Sequence, residues 1–217
     1  MNLLVIGVVL LIISSILLGL FFERNGNPQA NPMRVSCVGD SITEGTGYPD
    51  DLWMMLGANY TVGNFGAPAS TVSLESDKPY MNQPAFEEAK KFLPNIVVIM
   101  LGTNDATPIR QIETFVDDYK KLIGEFQALA SKPKIWLVKP PPIFNNGTGL
   151  STAFFVEEII PRIEQVAKET NLPLVDVYSP LASHSEYFSD GVHPDKEGAN
   201  IIATQVFNAI ILNSKPI

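Results

Sequence analysis

Ser41 sits in Gly39-Asp40-Ser41-Ile42-Thr43, a tight turn directly after the apolar run 35–38. Near the other end of the chain stands Asp190-Gly191-Val192-His193. A serine hydroxyl is a weak nucleophile until a general base, itself oriented by a third group, removes its proton. Gly191 can adopt backbone conformations closed to other residues, so the Asp190 carboxylate is able to curl back onto His193 Nδ1. The other ring nitrogen would then face Ser41. Taken alone, Asp190-Gly191 reads equally well as a plain turn with His193 capping a helix.

Acyl transfer through such a serine also needs donors for the oxyanion. The Ser41 N–H is one candidate, at the start of a short helix or turn whose dipole favours negative charge. Gly66, in Asn64-Phe65-Gly66, has no side chain to keep its N–H away from a substrate. Asn104, in Gly102-Thr103-Asn104-Asp105, offers a side-chain amide, although loop capping after a strand is the common use of such residues. Of the two histidines, His184 lies in a polar stretch and is expected on the surface rather than as a rival base.

These residues must be positioned by the elements between them. Short apolar runs at 33–38, 60–65, 95–101, 134–138 and 174–177 read as strands. Helical patterns at 51–56, 84–92, 109–130, 153–170 and 195–212 separate them, with Pro194 expected at the first position of the last helix. The run 95–101 is apolar throughout, as suits a parallel strand buried on both faces. The pattern predicts an α/β fold, a three-layer α/β/α doubly wound sheet of about five parallel strands. In such sheets ligands bind outside the carboxyl ends of the strands. Ser41, Gly66 and Asn104 each follow a strand, and Asp190 and His193 precede the last helix, so all five are expected at one sheet edge.

Taken together, Gly39-Asp40-Ser41-Ile42-Thr43, Asn64-Phe65-Gly66, Gly102-Thr103-Asn104-Asp105 and Asp190-Gly191-Val192-His193 resemble the four sequence blocks of the SGNH, or GDSL-type, serine hydrolases, in the family's order. The resemblance covers residues 33–212. It implies the flavodoxin-like SGNH fold, Ser41 as nucleophile, His193 as base and Asp190 as its orienter. It also implies an oxyanion hole from Ser41, Gly66 and Asn104. Lys78-Pro79-Tyr80 and the stretch 99–105 look similar to bacterial proteins grouped with sialate or xylan O-acetylesterases. The implied activity is a serine esterase acting on a short-chain, O-acetyl ester of a carbohydrate. Lysophospholipases and thioesterases of the same family are the alternative, and Tyr80, Pro142 and Phe144 are candidates to line either kind of pocket.

The rest of the chain bounds these readings. A net charge of −8, with 15 scattered Lys and Arg, argues against a nucleic-acid partner. Two histidines and a single cysteine provide no ligand set, so neither metal nor organic cofactor is expected. Cys37, within the first strand, is expected to be a buried small hydrophobe. Residues 3–22 carry no charge, and twenty helical residues span about 30 Å, the thickness of a bilayer core. Residues 1–23 therefore read as a transmembrane or signal-anchor segment, 24–32 as a flexible tether and 33–217 as the hydrolase domain. The domain is expected to be membrane-anchored and extracytoplasmic, with a cleaved, secreted form as runner-up. Two readings of other classes compete, a non-catalytic sugar- or lipid-binding module and a nucleotide-binding flavodoxin-like domain. The second lacks both a phosphate-loop Lys-Ser/Thr and a Gly-x-Gly-x-x-Gly fingerprint.

Overall fold

The computed structural model describes residues 31–108, 112–145 and 147–212. Its five strands are β1 (Met33–Gly39), β2 (Tyr60–Gly66), β3 (Ile96–Met100), β4 (Lys134–Lys139) and β5 (Leu174–Asp176). They pair in the order β2-β1-β3-β4-β5, and every pair is parallel. Parallel neighbours cannot be joined by a hairpin, so each crossover carries helix. These helices are α1 (Ser41–Gly45), α2 (Tyr48–Leu56), α3 (Pro84–Lys91), α4 (Phe115–Gln127), α5 (Thr152–Phe154), α6 (Ile160–Thr170), α7 (Tyr178–Leu181) and α8 (Lys196–Leu212).

Alternation along β3 explains its unbroken apolar run. Val97 and Ile99 join one core with Phe86, Phe115, Phe126 and Ile163, from α3, α4 and α6. Ile96, Val98 and Met100 join the other with Leu52, Ile202 and Val206, from α2 and α8. Burying each such side chain contributes about 1.5–3 kcal/mol, which commits β3 to the centre of the sheet. The chain steps outward from β1 to β2, then crosses back to β3. The loops after β1 and β3 therefore lie side by side at the reversal, where open α/β sheets form their crevices.

Several helix boundaries differ from the sequence expectation, each for a local reason. The helix expected at 51–56 starts at Tyr48, because Pro49 is accepted in a first turn, where its missing N–H costs nothing. The one expected at 109–130 is described only from Phe115 to Gln127, and residues 109–111 lie outside the described residues. Pro161 has no N–H to donate back along its helix, and 153–170 resolves into α5, a π turn at Phe155–Ile159 and α6. Pro194 is not the first residue of α8. Asp195 caps that helix, its Oδ1 accepting the Gly198 N–H at 3.0 Å, so Pro194 stands one place before the cap.

The expected anchor at 1–23 and the tether up to residue 30 lie outside the described residues. Among the described residues, no helix is long and apolar enough to cross a membrane.

Candidate active site

Ser41 opens α1, and Asp40 caps it. Asp40 Oδ1 accepts the Ile42 N–H at 2.9 Å, and the Asp40 carbonyl accepts that of Glu44 at 3.0 Å. These bonds fix the direction in which α1 leaves β1, and so the position of Ser41. Its Oγ lies 2.8 Å from His193 Nε2, across 152 positions of sequence. On the far side of the ring, His193 Nδ1 lies 2.6 Å from Asp190 Oδ2. An ionised carboxylate can only accept, so the ring proton sits on Nδ1 and Nε2 is left to accept from the Ser41 hydroxyl.

The acid–base turn is held from within. Asp190 Oδ1 accepts the backbone N–H groups of Val192 (2.9 Å) and His193 (2.8 Å), a closure that Gly191 permits at φ 81°. Burial pushes the Asp190 carboxyl up, but the His193 amide, the His193 ring and the Val192 amide outweigh it and hold the carboxyl at about 2. The group is therefore charged wherever the imidazole can act as a base. Support also comes from the loop after β4. Phe144 N–H donates to the Gly191 carbonyl at 2.8 Å, and the Phe144 ring packs on Phe188 with centroids 5.0 Å apart.

That contact half-buries Phe144, one of the residues expected to line the pocket. Tyr80 is fully buried, and its hydroxyl donates to the Phe65 carbonyl at 2.7 Å, which makes it a core residue rather than a pocket wall. Pro142 is buried as well. Bulky loop residues satisfied hydrophobic packing first, and sequence position alone did not separate the two uses. The site itself is open, with 40% of the His193 side chain and 48% of the Asp190 side chain exposed.

The expected oxyanion donors differ in what they already hold. Among the described residues the Ser41 N–H makes no hydrogen bond, as befits the first turn of a helix. Asn104 follows β3 in the turn Thr103–Asp105, and its Nδ2 donates to the Ser70 carbonyl (3.1 Å) and to Asp40 Oδ2 (3.3 Å). This places its amide against the turn that carries Ser41. The Gly66 N–H, by contrast, donates to Asn64 Oδ1 at 3.0 Å, while Asn64 Nδ2 donates to the Glu44 carbonyl at 3.1 Å. A Cβ at Gly66 would come within 2.3 Å of the Glu44 nitrogen. Glycine is required here by the close approach of α1, and Asn64 ties β2 to that helix.

Two residues of interest escaped sequence reasoning. Ala69 is a non-glycine residue at φ 59°, and among the described residues its N–H has no partner. Strained backbone of this kind persists only where its surroundings impose it, often at functional sites. Nothing in an alanine's type could signal this. Asp40 is the other, an acid buried to 1% exposure inside the nucleophile turn, which the pattern of the turn did hint at. Asp105, equally buried, accepts the amides of Val72 and Ser73 and the Ser73 hydroxyl, pinning the loop that carries Ser70.

His184 lies 2.8 Å from Glu186 through Nδ1 and stacks on Tyr187, away from the Ser41 contact. Cys37 is buried, and burial pushes its thiol up to about 12, so it is inert. Among the described residues, no group of three or more His, Cys, Asp or Glu side chains could hold a metal ion.

The model of the GDSL-like lipase/acylhydrolase family matches residues 37–201. An acetylxylan esterase of Xylanibacter ruminicola is 33% identical over 89% of this chain and 46% of its own length. A GDSL esterase/lipase of Oryza sativa subsp. japonica is 22% identical over 54% of each. The chain thus spans about half the length of the curated relatives it matches. Among solved structures, a carbohydrate acetylesterase of Sinorhizobium meliloti superposes with TM-score 0.67 at 19% identity, covering 83% of this chain and 99% of that one. An aryl esterase of M. smegmatis superposes with TM-score 0.65 at 19% identity, with the same coverage. These two likenesses establish the fold.

Proposed function

The chain belongs to the GDSL-like lipase/acylhydrolase family, and from that premise we propose that it is a serine esterase that removes a short acyl group, acetyl foremost, from a carbohydrate ester. The observation that carries this reading is the relay of 2.8 and 2.6 Å contacts from Ser41 through His193 to Asp190. His193 Nε2 takes the hydroxyl proton as Ser41 Oγ bonds to the ester carbonyl carbon. Asp190 steadies the imidazolium that results. The tetrahedral intermediate collapses when the carbon–oxygen bond to the alcohol breaks, and His193 returns the proton to the departing oxygen. Water then attacks the acyl-serine by the same steps, releasing the acid and restoring Ser41.

In this mechanism the oxyanion is met by the Ser41 N–H and by Asn104 Nδ2, which exchanges a contact within the fold for one to substrate. The free Ala69 N–H is the third donor of this scheme, in place of the engaged N–H of Gly66. Each donor contributes about a hundredfold or more in rate. The carbohydrate preference is supported by the acetylxylan esterase relative and by the open site. An exposed base and orienter leave room for a bulky polar alcohol.

A series of aryl esters from acetyl to octanoyl, run beside an O-acetylated xylan oligomer, tests the substrate class. Activity is expected to be highest on acetyl and to fall with chain length, with acetate released from the sugar. A preference for octanoyl would favour a lysophospholipase or thioesterase, and no turnover of any ester would favour a binding module.

The reading includes a place for the enzyme. The charge-free stretch 3–22 would anchor the domain at a membrane on the extracytoplasmic side. Protease added to intact cells is expected to degrade the domain, and full protection would overturn that placement.

A further inference from the structure

Asp40 has no part in the proton relay, yet it touches both sides of the site. Its side chain is 1% exposed. Oδ1 accepts the Ile42 N–H at 2.9 Å in the first turn of α1, and Oδ2 accepts Asn104 Nδ2 at 3.3 Å. The Ser41 N–H and the Asn104 carboxamide reach the site from different strands, β1 and β3, and the Asp40 carboxylate bridges them. We propose that Asp40 is a positioning residue for the oxyanion hole, holding the α1 amide end with one oxygen and Asn104 with the other, and that it does so only while ionised. This inference rests on the esterase reading.

The two groups that the carboxylate bridges, the Ile42 amide and Asn104 Nδ2, are N–H donors, and the Thr103 hydroxyl also pulls the carboxyl down. An ionised carboxylate presents an acceptor to each, and charge-assisted bonds of this kind are about twice as strong as neutral ones. A protonated Asp40 offers only one full acceptor oxygen, so either the Ile42 amide or Asn104 Nδ2 would lose its charge-assisted bond and the bridge would weaken. Burial pushes this carboxyl up to about 7, against the downward pull of the Ile42 amide and His193. The groups facing it include His193, whose charge lowers it, and Asp105 beyond β3, whose charge raises it. Tyr48 of α2 and Tyr119 of α4 also face it, both held neutral by burial. Asp40 is therefore able to lose its charge near neutrality, where Asp190 keeps its own.

The test is the pH dependence of kcat/KM for acetyl ester hydrolysis by the full chain, which reports ionisations of the free enzyme. On the acid side log kcat/KM is expected to fall with a slope steeper than one over the roughly two decades in which protonation of Asp40 costs its hundredfold, in addition to the slope of one from the general base. Asp40→Asn keeps the shape and an acceptor for Ile42 but turns the bridge away from Asn104. It is expected to lower kcat about a hundredfold with KM within threefold, and to leave a profile nowhere steeper than one. Asn104→Ala is expected to lose a similar factor, and the double variant no more than either alone. A wild-type profile nowhere steeper than one would overturn the proposal, and that measurement stands even where Asp40→Asn fails to fold. Asp40→Asn with kcat within threefold of wild type would overturn it too. A wild-type chain that hydrolyses no ester would instead overturn the esterase reading itself.

Discussion

Ser41→Ala is expected to lower kcat by about 10⁴-fold or more while leaving the fold unchanged. The hydroxyl lies 2.8 Å from the imidazole, and the serine is only half-buried. Its loss therefore opens no core cavity and orphans no buried donor. The cap from Asp40 to Ile42 and the bond from Glu44 to the Asp40 carbonyl both survive, so α1 stays in place. What disappears is the atom that forms the acyl-enzyme. Turnover of an aryl acetate by the purified full chain checks this, together with a fluorophosphonate probe that is expected to label only the wild type. Unchanged turnover by the variant would remove Ser41 from the mechanism.

Asp190→Asn is the second large effect, a fall in kcat of about 10²–10⁴-fold with little change in KM. The asparagine oxygen can still accept the amides of Val192 and His193, so the turn is kept. Its NH₂ would face His193 Nδ1, forcing the ring proton onto Nε2, which then cannot accept from Ser41. The charge that steadies the imidazolium is lost as well. In the wild type the folded carboxyl is depressed to about 2 from an ordinary value near 3.8. The stability it contributes is thus complete above its unfolded pKa and is lost as pH falls toward 2. A group of that pKa does not shape the activity profile near neutrality. A variant retaining a third or more of wild-type kcat, with an unaltered melting transition, would remove Asp190 from the relay.

Most of the frame was legible because its signals are local. Apolar strands of the right length, alternating with helical patterns, predict a parallel sheet, and 95–101 could hardly be anything but a central strand. Helix ends were less legible where prolines intervene. Pro49 lies outside the helix expected at 51–56 but inside the first turn of α2, Pro161 reads as helix but sits behind a π turn, and Pro194, expected at the first helical position, stands one place before the cap Asp195. In each case the side-chain or backbone partner that decides the boundary is invisible without coordinates. The anchor expected at 3–22 rests on its composition alone.

The sequence by itself determined the chemistry that is available: a serine, a histidine and a carboxylate in turns that a doubly wound sheet brings to one edge. Residue type and strand order suffice for that, because parallel strands with right-handed crossovers leave few topologies. Only the tertiary structure decided which groups are free to act. It engages the Gly66 N–H with Asn64, leaves that of Ala69 open, buries Tyr80, turns Phe144 onto Gly191 and sets Asp40 between Ser41 and Asn104. Those outcomes depend on which donor reaches which acceptor within about 3 Å. Such distances arise between residues far apart in the chain, and no local pattern encodes them.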